Sequence, residues 1–367
     1  MRFFQLLAGC FAAAALLAGC SGPFDSAQGD KGQPSVVPVA LRQAQGDTGQ
    51  RDLALMMPHY VQRPVHPDRG GSSMSPNAKK SKALLYVGDD ETNDVFVYDY
   101  KSGASVGTLT GFDGPEGMCV DAKGDIYITN FNSGTVVEYA HGGDTSIQTY
   151  SPGGNIVGCS VDAKGDLAAT SFDPGVVTVY AKGNPNDGTP YSDSSCEYLW
   201  TMAYDNKGNL VGNSVLSSGN GICALLAGAK TMTVLSTSGF TVDFAGGTSW
   251  DGKYFALGDQ EIGGQFQSGV IRATLKGTTL TAAGGETTFS DNCYNDYTDL
   301  VNTFIVGKTN TLFKGKQGNA VVGPNLWCAD AGSGKVDYWH YPLGGLPYKN
   351  LDPSPANPYG AGVSIKS

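Results

Sequence analysis

After Arg69 the chain contains a single arginine, Arg272, and only 16% of its residues are charged. The two-pronged donors that hold phosphates and base edges are therefore nearly missing, which excludes nucleic acid as a partner. From Ala83 to Ser367 there are 15 Lys+Arg against 29 Asp+Glu, a formal net of −14, so this region repels polyanions. Long apolar runs are lacking beyond residue 19, and nothing later supplies the ~20 apolar residues that cross ~30 Å of hydrocarbon. There are only four histidines, and none sits in a Ser-His-Asp pattern. His59 and His66 lie beside prolines, His141 in a His-Gly-Gly turn and His340 between Trp339 and Tyr341, so they read as solvated or structural and not as metal ligands or bases.

What the chain does have is glycine, 52 residues of it, alongside 40% hydrophobic residues. That combination describes a large core served by many tight turns, an all-β protein. The first 19 residues are different. Arg2 is followed by an apolar stretch from Phe3 to Leu17, broken only by Gln5, and then by small residues, the layout of a secretory signal. Leu17-Ala18-Gly19-Cys20 resembles the lipobox of bacterial lipoproteins, which implies lipidation at Cys20 and a lipid-anchored protein outside the cytoplasm, on the cell membrane or outer membrane. A second copy, Leu7-Ala8-Gly9-Cys10, lies too near the start to follow a proper apolar region. Residues 20–82 read as a linker rich in Gly, Gln, Asp, Ser and Pro, with 8 basic against 5 acidic side chains.

An internal repeat sets the architecture of residues 83–367. Val120 to Ala140 aligns without a gap to Val161 to Ala181, with 12 of 21 positions identical at an offset of 41. Each copy reads as an apolar strand, a turn at Asp-Ala-Lys-Gly-Asp, an alternating strand, a Phe-x-x-Gly turn, and a strand ending in Tyr-Ala. Gly124, Gly165, Gly134 and Gly175 stand where such turns need positive φ. Fainter copies of the first turn occur at Asp205-Asn206-Lys207-Gly208 and Asp251-Gly252-Lys253. A last unit runs from about Thr298 through Val321-Val322-Gly323 to Tyr341. Ala83 to Val87 and Val95 to Tyr98 look like second and third strands lacking a first. Pro358-Tyr359-Gly360-Ala361-Gly362-Val363-Ser364 resembles the first strand Pro115 to Asp121, so the far end of the chain is expected to supply it. Six units of about 47 residues result.

The string Gly-Pro-x-Gly, a Val-Asp turn with Gly, Ile-Tyr-Ile-Thr-Asn, Gly and Val-Glu-Tyr resembles NHL-repeat and SMP-30/gluconolactonase-like propellers. That resemblance implies a six-bladed β-propeller over residues 83–367, whose first strands line an axial channel. In SMP-30-like lactonases a Glu, an Asn and an Asp at comparable strand starts bind a divalent cation that polarises the lactone carbonyl. Carried over, these are Glu116, Asn155 and Asp299, with Asn295 and Asp296 nearby, as ligands of Ca²⁺ or another divalent cation. Glu116, within Gly114-Pro115-Glu116-Gly117, fits that pattern best. A lyase like the streptogramin-inactivating propellers needs a histidine on an inner strand, where none of the four is placed.

Six cysteines follow Cys20, an even number that suits disulfides in an exported chain, with fifteen pairings open. Cys196 with Cys223 and Cys293 with Cys328 come first, each within about one unit. Cys119 and Cys159, on adjacent inner strands, rank behind them, because a bridge needs Cα atoms within ~7 Å. Tyr98, Tyr139, Tyr180 and Tyr341 share the end of a third strand and are expected to pack between units. Two functions fit: a monomeric, non-enzymatic scaffold that binds a protein or glycan, and a metal-dependent lactonase-like hydrolase built around Glu116.

Overall fold

The computed structural model describes residues 71–89, 91–260, 262, 268–289, 304–306, 325–330, 335–341, 343–351 and 358–366. All belong to one compact unit, Gln50–Ser367. Among the described residues its elements are mainly strands, joined by tight turns and by short 3-10 segments such as Ala78–Lys80 and Ala181–Gly183.

The repeat appears as two antiparallel four-stranded sheets. One holds Pro115–Val120, Ile126–Asn130, Thr135–Tyr139 and Ser146–Tyr150, and the other Ile156–Val161, Leu167–Ser171, Val176–Tyr180 and Gly188–Ser192. The first turn is built alike in both. Asp121 Oδ1 accepts from Lys123 N and Asp125 N, each at 2.9 Å. Asp162 does the same for Lys164 N and Asp166 N, Asp205 for Lys207 N and Asn209 N, and Asp251 for Lys253 N and Tyr254 N. An aspartate that caps backbone N–H groups two to four residues on is what makes this turn. Gly124, Gly134 and Gly165 have positive φ as expected, but Gly175 does not. It is glycine for another reason, since a Cβ there would lie 2.1 Å from Cys196 O.

A nine-stranded sheet follows, in which two meanders meet. Tyr198–Tyr204, Leu210–Leu216, Gly219–Leu225 and Thr233–Ser238 form the first. Ala245–Trp250, Phe255–Asp259, Gly269–Lys276 and Thr279–Ala282 form the second, with Thr287–Thr288 beside Gly269–Lys276. The outer strands of the two pair in parallel, Ser236 opposite Thr279. The last sheet contains Phe304–Val306, Asn325–Asp330, Lys335–His340 and Lys349–Asn350. Its second strand is Asn325–Asp330; Val321-Val322-Gly323, through which the last unit was expected to run, lies outside the described residues. Leu326-Trp327 continues the alternation that pairs with Lys335–His340.

The remaining sheet joins the two ends of the fold. Ala83–Asp89 pairs on one side with Asp94–Asp99 and on the other with Pro358–Ile365, in the register Leu84↔Ser364, Leu85↔Val363 and Val87↔Ala361. Segment 71–82, read from composition as linker, reaches into this sheet: Ser73–Met74 adds a fifth strand beside Ser105–Leu109. The innermost strands stand side by side in chain order. Pro358–Ile365 neighbours Pro115–Val120, followed by Ile156–Val161, Tyr198–Tyr204, Ala245–Trp250 and Phe304–Val306, which again neighbours Pro358–Ile365.

The core lies between sheets. Leu85, Val87 and Tyr98 pack with Val336 and Tyr338 of the last sheet, and Leu84, Tyr86 and Val97 with Ile126, Ile128 and Tyr139 of the next. Burying each such side chain contributes about 1.5–3 kcal/mol, so these seams carry most of the stability. Tyr98, Tyr139, Tyr180 and Tyr341 are all buried, each in a cluster drawn from two sheets, as their spacing predicts.

Candidate functional site

The starts of the inner strands carry a shared irregularity. Pairing with the second strand skips between Pro115 and Met118, between Leu199 and Met202, and between Ala245 and Thr248. The same shift falls at Val157 and at Tyr359. A β-bulge re-aims the side chain it carries, and here it occurs once in each of five inner strands. The bulged residues are Glu116-Gly117, Val157, Trp200-Thr201, Gly246-Gly247 and Tyr359. Neighbouring strands approach so closely at this level that a Cβ on Gly117 would lie 2.3 Å from Val157 O, and one on Gly158 2.7 Å from Thr201 Cγ2. Glycine in the repeat is required there by contact between strands.

Of the predicted ligands, Glu116 sits on the first of these bulges and is 1% exposed. Asn155 immediately precedes the next inner strand and is half-buried; its Nδ2 reaches Phe131 O at 3.5 Å. Asp299, Asn295 and Asp296 lie outside the described residues. Among the described residues no group of three His, Cys, Asp or Glu side chains is placed to hold a metal ion.

Other polar side chains on this level serve the backbone. Asn130 Oδ1 accepts from Asp113 N, Asp89 Oδ1 from Glu91 N, and Asp259 from Asp243 N and Phe244 N, holding the loops that surround the inner strands. Asn213 Nδ2 donates to Gly246 O at 2.9 Å and Gly258 O at 2.7 Å, tying one meander to the next. Trp200 is buried against Phe172, with ring centroids 5.1 Å apart, and shares an apolar cluster with Phe131, Val157 and Ala245. The floor of this end is thus aromatic and aliphatic, and its loops are hydrogen-bonded in place.

At the opposite end the sequence reading missed a junction. His141 follows the third strand Thr135–Tyr139 and reaches both termini of the fold. Its Nε2 lies 2.9 Å from Ser81 O and its Nδ1 2.6 Å from Ser364 Oγ, while the Ser364 hydroxyl also faces Gly124 O. Burial holds the His141 pKa below the usual histidine value, against the bond to Ser81 O, with Lys366 adding to the lowering. A Ser-His contact raises the question of a nucleophile. Ser364 is fully buried, however, and the far ring nitrogen meets a backbone carbonyl where a triad would place a carboxylate. This pair joins strands. Only its distance in sequence hid it, since Ser81 and Ser364 meet once the ends pair.

Two disulfides are present among the described residues. Cys196–Cys223 is as expected, with Cα atoms 6.3 Å apart. Cys119–Cys159, ranked behind, also forms, with Cα atoms 5.5 Å apart. The close approach of inner strands at Gly117 and Gly158 brings these two cysteines within range, a proximity that blade spacing alone does not reveal. Cys293 and the Cys328 side chain lie outside the described residues.

Residues 112–139 match the NHL repeat. No curated protein matches the chain. Among solved structures, one in the nidogen/laminin complex resembles it with a TM-score of 0.56 at 12% identity, covering 78% of this chain and 99% of that one. A putative 6-phosphogluconolactonase from Bacteroides fragilis gives a TM-score of 0.49 at 15% identity, over 79% and 99% of the chains. The streptogramin B lyase gives 0.42 at 12% identity, over 75% of each. Together the repeat, the sheets standing side by side and the nidogen-complex likeness establish a β-propeller containing an NHL repeat.

Proposed function

We propose that this chain is a six-bladed propeller, exported and anchored through Cys20, that acts outside the cytoplasm as a scaffold for binding a protein or glycan. Counting the nine-stranded sheet as two blades gives six, and the inner-strand order Pro358–Ile365 to Phe304–Val306 and back supports a closed ring. The observation that carries the scaffold reading is where the buried polar groups are used. Asp89, Asn130, Asn213 and Asp259 fix loops and neighbouring strands, so the chain invests its polar chemistry in a rigid display of loops.

The alternative is an SMP-30-like metal-dependent hydrolase, with Glu116, Asn155 and Asp299 as ligands, and the burial of Glu116 on an inner bulge is what favours it. A thermal melt with and without millimolar Ca²⁺ separates the two, because a ligand of the native state raises the melting temperature. The scaffold reading predicts no shift. A Ca²⁺-dependent rise that disappears in Glu116→Gln would overturn it in favour of the hydrolase. For the anchor, labelled palmitate should enter the wild-type chain and be absent from Cys20→Ala; equal labelling of both would remove Cys20 as the lipid site.

A further inference from the structure

The connections of an antiparallel meander sort by end. Passages from first to second and from third to fourth strands lie where the inner strands finish, and the remaining passages lie where they start. Charge divides the same way. Among the described residues all twelve exposed lysines stand at the finishing end. Four are in the first turns (Lys123, Lys164, Lys207 and Lys253), four at the passage from third to fourth strands, and four, Lys82 and Lys366 among them, where the two ends of the fold meet. Acids occur there too, but Asp121, Asp162, Asp205 and Asp251 accept from backbone N–H groups of their own turns, and only Asp144 and Asp187 are exposed. At the starting end the exposed charges among the described residues are Glu91, Asp173, Glu197 and Glu286.

The lysine-bearing end also displays apolar side chains. Leu343 is 82% exposed, Leu346 69% and Tyr348 46%, all between the third and fourth strands of the last sheet. Their loop is pinned. Gly345 N donates to Thr288 O, Trp339 Nε1 donates to Gly345 O, and the Tyr348 ring stacks on His340 with centroids 4.2 Å apart. No acidic residue occurs from His340 to Asn350, and Lys349 Nζ reaches Lys101 O at 3.4 Å, so leucines and lysines share one surface.

We propose that this end docks on an anionic lipid surface, its lysines against the headgroup phosphates and Leu343 and Leu346 inserted at the acyl-chain boundary. A soluble polyanion would pair with the lysines and leave the leucines in water, whereas a bilayer takes both, with Tyr348 at the headgroup level. The folded region is acidic as a whole, but a membrane senses the end that faces it. Five-residue strands such as Ile126–Asn130 and Leu167–Ser171 hold the two ends about 17 Å apart, roughly twice the ~8 Å screening length at physiological salt. The proposal deepens the anchored-scaffold reading and rests on it for a membrane within reach. It turns the bulged starts of the inner strands and the acidic loops away from the bilayer, toward a partner.

The test is flotation of the chain 20–367 carrying Cys20→Ser with vesicles of phosphatidylcholine, alone or mixed with phosphatidylglycerol. Neither acyl chains nor the apolar residues 3–17 then contribute. The account expects binding to the anionic vesicles that salt weakens, and little to phosphatidylcholine alone. Lys101→Glu with Lys123→Glu, and separately Leu343→Ser with Leu346→Ser, should each raise the dissociation constant about tenfold or more; these side chains are exposed, so the melting temperature should stay unchanged. Glu91→Gln with Glu197→Gln, at the far end, should leave the dissociation constant where it is. No binding to anionic vesicles at low salt would overturn the proposal. So would an affinity that the leucine pair leaves intact, as for a soluble polyanion, or one that the far-end pair shifts as much as the lysine pair. The chain tested carries no lipid, so failure here leaves palmitate labelling of Cys20 as a separate result.

Discussion

The sheet built from Pro115–Val120 to Ser146–Tyr150 and the sheet that joins Ala83–Asp89 to Pro358–Ile365 have the same order of strands but are wired differently. In the first, strand one passes to strand two through the Asp121 turn, whose carboxylate holds two backbone N–H groups of the same short loop. In the second that turn does not exist, because the two strands come from opposite ends of the fold. Seven ladder pairs from Ala83↔Ile365 to Asp89↔Pro358 replace it, helped by His141, which touches Ser81 and Ser364 at once. A local turn closes a loop of a few residues. The joined sheet closes one of nearly the whole domain, which costs more chain entropy and must be offset by packing.

This difference can be broken most severely at the joined sheet. Deleting residues 358–367 removes the first strand of one blade and uncovers Leu85 and Val87, which pack with Ala361, Val363 and Ile365; cooperative unfolding should be lost in a calorimetric scan. Removing the Cys119–Cys159 bridge by double substitution to Ala acts between neighbouring inner strands elsewhere in the ring. With its cysteines 40 positions apart in sequence, its loss should cost about 3–4 kcal/mol, read from denaturant midpoints. Gly117→Val at the same seam forces a branched side chain against Val157 O and should cost about 3 kcal/mol, with the fold retained.

Smaller effects sharpen the contrast. Asp162→Ala frees two backbone N–H groups and should lower stability by about 2 kcal/mol, read from denaturant midpoints. The contribution of His141 should depend on pH. Its folded pKa lies below the unfolded value, so the unfolded chain binds more protons in that interval. The contribution of His141 is therefore full above the usual histidine pKa and is lost as pH falls through the folded one. Lys366 opposes a charged ring, while the Asp125 carboxylate receives the His141 backbone N–H. Melting temperature should fall on acidification below pH ~6.5, and His141→Gln should flatten that slope.

Much of this architecture was legible because it repeats. The pair Val120 to Ala140 and Val161 to Ala181 displays turns, strands and tyrosine seams twice, and the likeness of Pro358–Ser364 to Pro115–Asp121 exposed the joining strand. What stayed hidden depends on pairs far apart in sequence. Cys119–Cys159 required knowing how near the Gly117 and Gly158 backbones come. The role of His141 required Ser81 and Ser364 to be neighbours. The strand Ser73–Met74 carries no periodicity that two residues could show. At the candidate site, Glu116 was visible in its Gly-Pro-Glu-Gly setting, whereas the bulge that positions it is a feature of pairing and not of composition.

Hydrogen exchange followed by mass spectrometry on the full chain with Cys20→Ser tests most directly whether both ends of the fold share one sheet. Amides of Pro358–Ile365 should exchange only through global unfolding, at the rate of Ile156–Val161 and Ala83–Asp89. Exchange of Pro358–Ile365 within seconds, while Ile156–Val161 stays protected, would contradict the account.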